Sequence, residues 1–268
     1  MKVMAVLRAE RFSPNSEEKD RAIMMAVTTR LKNAGHEVTV VGEDSLTQDY
    51  FSTARRPQTV LTMGRLHQTL QLLSAAEQNG VSVINSTTGI GRCSRSTLAR
   101  IMKETGIPTP PSKGSNGYWV KRGDSAAQTA DDVQYAADEQ QLDAVTKQFM
   151  RRGISNYTVE AHVVGDVVKF YGVRGTAFFR YYYPTDDGDQ KFGDEKRNGA
   201  AHHYRFDASS LQLSAQTLAE AVGISVYGGD CIVRADGEYC IIDFNDWPSF
   251  ARCREEAAKA IAGLITNR

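Results

Sequence analysis

Short apolar runs and helical repeats alternate along the first third of the chain. KVMAVLR (2–8) is a run of the buried-strand type. After a loop with Pro14, Ile23, Val27 and Leu31 recur at helical spacing; Ser16 stands as the cap of a helix beginning at Glu17, and Gly35 ends it. HEVTVVG (36–42), TVLTMG (59–64) and VSVIN (81–85) predict three more strands, and Leu66, Leu70, Leu73 and Ala76 place a helix before the last of them. Strands alternating with helices predict a parallel sheet with right-handed crossovers. The result is a Rossmann-like layer of about 85 residues, within the ordinary domain range. No GxGxxG follows its first strand, which argues against a dinucleotide site. Residues 43–57 are polar and aromatic and show no period.

Downstream the pattern changes. The Gly/Thr/Ser-rich segment 85–93, with Gly89 and Gly91, reads as a flexible linker. Ser94 then caps a helix to about Thr105, with Leu98, Ile101 and Met102 on its apolar side; Gly106, Pro108, Pro110 and Pro111 stop it. Residues 117–127 read as a strand then a loop, 132–136 as a short strand, and Leu142, Val145 and Phe149 form the stripe of an amphipathic helix over 138–153. Residues 156–175 read as two strands joined at Val164-Gly165-Asp166, by themselves an ordinary β-hairpin. An amphipathic helix follows at 209–223, stopped by Gly223, and REEAAKAIAGLI closes the chain as a helix.

Between those last helices lies the stretch most informative about chemistry, Tyr227 to Phe250. DCIVRA and CIIDF read as hairpin partners with Asp236-Gly237 at the turn, which puts Asp230, Asp243 and Asn245 at strand ends. Residues 243 and 245 are two apart, so their side chains leave one face. Oxygen donors with no Cys or His beside them suit Mg²⁺, with Mn²⁺ as its nearest substitute. On spacing alone, turn-forming Asp and Asn at a hairpin end account for the pattern equally well.

Composition narrows the setting. Lys plus Arg is 32 and Asp plus Glu is 32, so no net charge draws the chain to nucleic acid or to an anionic membrane. No apolar run approaches the roughly 20 residues that span a bilayer. The N-terminus lacks a signal-peptide core and reads as a strand. Cys93, Cys231, Cys240 and Cys253 form no CxxC pair. These features predict a reducing, cytoplasmic setting.

GGDCIVRADGEYCIIDFNDWP resembles the metal-binding end of the ATP-grasp superfamily, a "G-x-D" strand followed by one ending "[DE]-x-N-x-x-P". The resemblance implies that Asp230, Asp243 and Asn245 hold Mg²⁺ against the phosphates of ATP. Ser249 departs from it, standing where many members have Gly. INS…SRSTLARIMKETGIPTPPS is similar to the family's entry segment, with Ser94-Arg95 where many members have Asp-Lys, so that Arg95 becomes the phosphate-facing cation. Lys121 matches the family lysine on the ATP phosphates, and the Gly-rich lid usual after it is reduced to Gly123. TVEAHVVG matches the hinge between the two ATP-grasp subdomains. Its match implies that the backbone of Glu160, Ala161, His162 and Val163 meets the adenine edge, with an acidic residue on the ribose. Lys169 stands where relatives carry Lys or Arg near the nucleotide.

These stretches are most similar to the ribosomal-protein glutamate ligase and glutathione synthetase-like branch, and to the inositol-trisphosphate kinase branch. The implied architecture is α/β (α+β), an ATP-grasp fold behind a Rossmann-like pre-ATP-grasp domain. Its expected parts are 1–88, a central subdomain at 89–163, and a C-terminal subdomain at 164–268 carrying the metal site. The implied activity is a carboxylate–amine ligase using Mg-ATP through an acylphosphate. The alternatives are a kinase for a polyol or inositol phosphate-like hydroxyl, and a nucleotide-binding module without turnover. Arg174, Arg180, Lys191, Lys196, Arg197, His202, His203 and Arg205 crowd the stretch before the last two helices, as either a solvated loop or an anion-binding one. On the second reading Arg174 and Arg205 join Lys121 as catalytic cations, and the partner is a small-molecule or peptide substrate with an anionic group.

Overall fold

Alternation within the first strand sets the first layer. In the computed structural model, which describes residues 1–13, 16–124, 129–186 and 197–266, β1 spans Lys2–Leu7. The loop position Pro14, the segment 125–128 after Lys121, and Lys191 and Lys196 of the charged stretch lie outside the described residues. β1 sends Val3 and Ala5 to one face and Met4 and Val6 to the other. α1 (Glu17–Asn33), β2 (Glu37–Gly42), β3 (Thr59–Thr62), α2 (His67–Gln78) and β4 (Ser82–Ile84) complete the layer. The strands pair in parallel in the order β2-β1-β3-β4, as alternation of strand and helix predicts. The stretch 43–57 contains two short 3₁₀ turns, Glu43–Ser45 and Gln48–Phe51. Such short tight turns carry no hydrophobic period to read. Ser16 occupies the N-cap position without a side-chain capping bond.

Residues 85–93 are not a linker. Thr87–Gly91 form a short helix, α3, capped by Ser86, whose hydroxyl accepts from the Gly89 amide at 3.0 Å and donates to the Gly223 carbonyl at 2.9 Å. Asn85, buried, donates to the Val226 carbonyl at 2.7 Å and accepts from the amides of Ser225 and Val226, each at 2.8 Å. The end of β4 is therefore stitched to a segment some 140 residues away, and small residues permit the close approach. After it, α4 (Arg95–Glu104) runs as predicted, although the Ser94 hydroxyl meets Thr97 Oγ1 at 2.8 Å rather than a backbone amide.

Two further sheets follow. β5 (Tyr118–Arg122), β6 (Val133–Ala136) and β7 (Tyr157–Ala161) form an antiparallel sheet in the order β6-β5-β7. α5 (Glu139–Arg151) covers it through Phe149, with Leu142 and Val145 beside Val120 and Val159. β8 (Asp166–Val173), β9 (Phe179–Tyr182), β10 (Val226–Val233) and β11 (Tyr239–Asp246) form the other, in the order β11-β10-β8-β9. β7 and β8 thus belong to different sheets. The expected hairpin at 156–175 is instead a crossing point, because the tight turn chemistry at Gly165 is local while strand partners are not.

One face of the β8–β11 sheet is covered by α4 and by α6 (Ala208–Val222), through Leu98, Ile101, Leu211 and Leu218 against Phe170, Tyr227 and Phe244. The last helix, α7 (Arg254–Thr266), returns to the start of the chain: Ala258 and Ile261 share a core with Ile23, Val27 and Ala5. Among the described residues no helix is long and apolar enough to cross a membrane.

The packing of α3 yields a test. A Cβ on Gly89 would meet Ile224 Cγ2 at 2.7 Å and run into the Gly223 carbonyl, whereas one on Gly91 would meet nothing within 4 Å. Gly89→Ala is expected to destabilise the protein by about 1–3 kcal/mol as an overpacking change. Gly91→Ala should leave stability nearly unchanged. Urea denaturation of both variants decides, and equal midpoints would mean that the segment is a linker after all.

Candidate functional site

The acidic residues lie within strands, not at their ends. Register pairs Lys169 of β8 with Asp230 of β10, and Asp230 with Asp243 of β11. Directly paired residues share a face, so these three side chains emerge together. The next row on the same face holds Tyr171, Gly228 and Asn245. Lys169 Nζ lies 3.1 Å from Asp230 Oδ1, and the Asn245 amide donates to Asp243 Oδ2 at 3.1 Å. The opposite face carries Phe170, Tyr227 and Phe244 into the core, so alternation alone separates chemistry from packing.

The glycines between these rows are required by space. A Cβ at Gly228 would meet Pro248 Cγ at 2.8 Å and Tyr171 Cδ1 at 3.0 Å, and one at Gly229 would meet Phe170 Cζ at 2.5 Å.

Cations reach this face from three elements. Lys121, buried at 9% exposure, extends from β5 to Glu160 Oε2 on β7 at 2.7 Å and to the Ile242 carbonyl on β11 at 3.0 Å. Lys121 therefore touches both sheets. Burial by itself would raise the Asp243 carboxyl; Arg95, Lys121, the Asn245 amide and Lys169 outweigh it and hold Asp243 below its ordinary value. Asp243 is thus a half-buried carboxylate kept ionised by its neighbours.

Between the two antiparallel sheets lies a cleft of about 300 Å³, lined by Arg95, Pro110, Thr158, Glu160, Ile242 and Asp243. That size is at the low end for small-molecule sites. The Ile241 amide donates to the Pro108 carbonyl and the Ala161 amide to the Pro111 carbonyl, both at 2.8 Å, so the segment after α4 bonds both sheets. Arg95 Nε and Thr158 Oγ1, both on residues lining this cleft, are buried with no hydrogen-bond partner among the described residues. Unsatisfied buried donors of this kind are costly unless a polar ligand meets them. They fit the phosphates and hydroxyls of a nucleotide.

Metal fit rests on the donor set. Among the described residues no group of three or more His, Cys, Asp and Glu side chains could hold a metal. Asp230, Asp243 and Asn245 offer two carboxylates and an amide oxygen on one face, the donors of a hard divalent cation that takes the rest of its shell from phosphate and water. The residues therefore fit Mg²⁺.

The structure places the other predicted residues as follows. Arg95, Lys121, Glu160 and Lys169 converge with the acidic set. At the hinge, the Ala161 and His162 amides donate to Pro111 and Gly117, each at 2.8 Å, so neither is free for an adenine edge. Val163 packs its side chain against Val167 and Ile232. Arg174 stands in the turn just after β8, where its amide donates to the Ser225 carbonyl at 2.7 Å and its Nε to the Ile224 carbonyl at 3.1 Å. The Arg205 carbonyl backs the hairpin turn at Gly237, at the far end of β10–β11 from Asn245. Neither arginine joins the cluster. The described end of the charged stretch is anchored, not free: Asp166, buried, accepts from the amides of His202 at 2.7 Å and Tyr204 at 2.8 Å, and Arg197 lies 3.4 Å over the Tyr135 ring. Thr158, Asp166 and Trp119 escaped sequence reasoning because their roles depend on which strands adjoin.

Several solved structures resemble this one over its whole length. The RimK domain ATP-grasp protein from Sphaerobacter thermophilus aligns with a TM-score of 0.65 and 16% identity, over 100% of this chain and 98% of that one. D-alanine–D-alanine ligase from Bacillus anthracis aligns with a TM-score of 0.62 and 10% identity, over 100% and 99%. N5-carboxyaminoimidazole ribonucleotide synthetase in complex with ADP aligns with a TM-score of 0.66 and 11% identity, over 98% and 76%. No family model matches the sequence, and no curated protein does. The chain has the ATP-grasp fold.

A titration tests the hinge. The Trp119 indole donates to His162 Nδ1 at 3.0 Å, so that nitrogen must be unprotonated. Burial, with Arg197 adding repulsion, lowers His162 from its ordinary 6.5. A base whose folded value is lowered takes up its proton more readily when unfolded. Its contribution is complete above about pH 6.5 and is lost as pH falls below it. The denaturation midpoint is expected to fall between pH 7.5 and 5.5, and His162→Asn, which keeps an acceptor for Trp119, should remove part of that fall. An identical pH dependence in the variant would show that His162 does not contribute to the fall.

Proposed function

We propose that the protein is a carboxylate–amine ligase that uses Mg-ATP and passes through an acylphosphate. One observation carries the reading: Arg95, Lys121 and Lys169, from three separate elements, converge on a half-buried carboxylate pair at a cleft between two antiparallel sheets. Its lobes are residues 1–88, 89–163 and 164–268, with the nucleotide between the latter two. The solved ATP-grasp ligases of the same fold support the ligase class.

The chemistry follows from charge. Phosphoryl transfer asks a protein mainly to neutralise phosphoryl oxygens and to hold donor and acceptor in line. Asp230, Asp243 and Asn245 would hold Mg²⁺, which when bound supplies charge neutralisation at the phosphates. Arg95 and Lys121 face the phosphates, and Lys169 pairs with Asp230. Thr158 and the Glu160 carboxylate supply polar contacts in the cleft. The substrate carboxylate takes the γ-phosphoryl group, releasing ADP; an amine then attacks the acyl carbon and inorganic phosphate leaves. No side chain need act as nucleophile, which suits a site of fixed charges.

Nucleotide and phosphate release tests this with Mg-ATP and a panel of amino acids, carboxylates with amines, and polyol phosphates. ADP with equal phosphate, appearing only with carboxylate and amine together, is the expected outcome. ADP without free phosphate, with a phosphorylated product, would make the protein a kinase for a hydroxyl. Asp243→Asn is expected to abolish turnover, and Lys121→Met to lower kcat by about 100-fold or more, as for loss of a transition-state charge contact. Turnover unchanged in Asp243→Asn would sink the metal assignment.

A further inference from the structure

Two arginines outside the predicted set meet one carboxylate beside the site. Arg8 follows β1 and Arg65 lies shortly after β3, so both leave the C-terminal edge of the parallel sheet. β1 has β2 on one side and β3 on the other, which makes this edge the switch point of the strand order. Open α/β sheets leave a crevice there. In this protein the end of β11 enters from the opposite side. Arg65 lies 2.5 Å from Asp246 Oδ1 and Arg8 lies 3.8 Å from Asp246 Oδ2. Arg8 also donates to the carbonyls of Asp246 at 3.4 Å and Trp247 at 3.2 Å.

Each partner is itself fixed. Arg8 pairs with Asp20 at 3.2 Å and donates to the Met63 carbonyl at 3.2 Å. The Glu43 carboxylate accepts from the amides of Ala9 at 2.6 Å, Arg65 at 2.7 Å and Leu66 at 2.8 Å, which binds the loops after β1 and β3 together. Asp246 is 2% exposed. A buried ion cluster of this kind contributes little net stability once desolvation is counted, so its worth lies in geometry.

Asp246 adjoins Asn245 and, by alternation, points to the opposite face of β11. It is followed by Trp247, fully buried, with φ of +41°. A bulky residue in that region persists only where its surroundings hold it. The Arg8 bonds to both carbonyls supply that hold.

We propose that Asp246 is a positioning residue: clamped between Arg8 and Arg65, it fixes the end of β11 against the first sheet and so aims the Asn245 side chain at the metal. The inference rests on the metal reading of Asp230, Asp243 and Asn245. Its consequence is specific. Loosening the clamp weakens metal binding and leaves nucleotide binding without metal as it was.

The test measures the affinity of a fluorescent ATP analogue without Mg²⁺ and across a Mg²⁺ titration, for the wild type, Asp246→Asn, Arg65→Gln and Asp243→Asn. Asp246→Asn and Arg65→Gln are expected to raise the Mg²⁺ needed for half-maximal enhancement by about 10–100-fold, the usual cost of losing a ligand's support. The metal-free affinity is expected to stay at the wild-type value. An unchanged Mg²⁺ requirement in either folded variant overturns the proposal, as does a parallel loss of metal-free and metal-dependent affinity. Should Asp246→Asn fail to fold, Arg65→Gln decides alone. Asp243→Asn separates the two levels: if it leaves the Mg²⁺ requirement untouched, the metal reading itself fails. If Asp243→Asn loses it while Asp246→Asn and Arg65→Gln do not, only the positioning role fails.

Discussion

Keeping Asp243 ionised is the constraint on which the cleft depends. A buried carboxylate without compensation takes up a proton, because desolvation penalises the charged form. Here the compensation comes from α4 through Arg95, from β5 through Lys121 and from β8 through Lys169. A unit charge pair at 4 Å is worth about 4 kcal/mol at an effective dielectric of about 20, and the value falls with distance. The cations must therefore stay close, which obliges the elements that bear them to stay close as well. Lys121 makes the point most directly, since its ammonium is bonded to a strand of each antiparallel sheet. Charge balance and the placement of the two sheets are one requirement.

The first sheet enters the same account through packing. α7 buries Ala258 and Ile261 against α1, so the two ends of the chain share a core. Val226 and Trp247, which flank the working parts of β10 and β11, belong to that core too. Asn85 adds a polar stitch, satisfying three backbone groups at the start of β10. The parallel layer is thus a platform against which the strands carrying Asp230, Asp243 and Asn245 are set, and not an appendage to them.

Much of this was legible in the sequence, for identifiable reasons. Strands and helices with strong periods, such as KVMAVL and the Leu142–Val145–Phe149 stripe, stand where the pattern puts them. Asp236-Gly237 marks the hairpin turn because the turn demands it: Gly237 has φ of +85°. What escaped depended on partners distant in sequence. Residues 85–93 resemble a linker in composition, yet Gly89 is small because a carbonyl from residue 223 lies against it. The turn at Gly165 has hairpin chemistry, yet its flanking strands join different sheets. Arg174 lies close in sequence to Lys169 but past the end of β8, with its Nε on the Ile224 carbonyl, a placement that a charge-rich window does not reveal. Arg8 and Arg65 acquire meaning only once the strand order makes β1 and β3 neighbours.

The glycine pair before Asp230 separates packing demands from chemical ones. Gly229 yields to Phe170 on the core face, and Gly228 yields to Tyr171 and Pro248 on the working face. Neither contributes a side chain, yet both let β10 lie close between β8 and β11, up to the register shift that follows Asp230. That close pairing matters because paired residues in an antiparallel sheet have Cβ atoms about 4.5–5.5 Å apart. Asp230 and Asp243 are such a pair, so the backbone ladder itself sets the spacing of the two carboxylates. A spacing of that order lets two carboxylates share one cation, and ligands carried on loops would have to be held in place by other contacts. The sheet therefore supplies the preorganisation that a site of fixed charges requires, and the glycines are its structural condition.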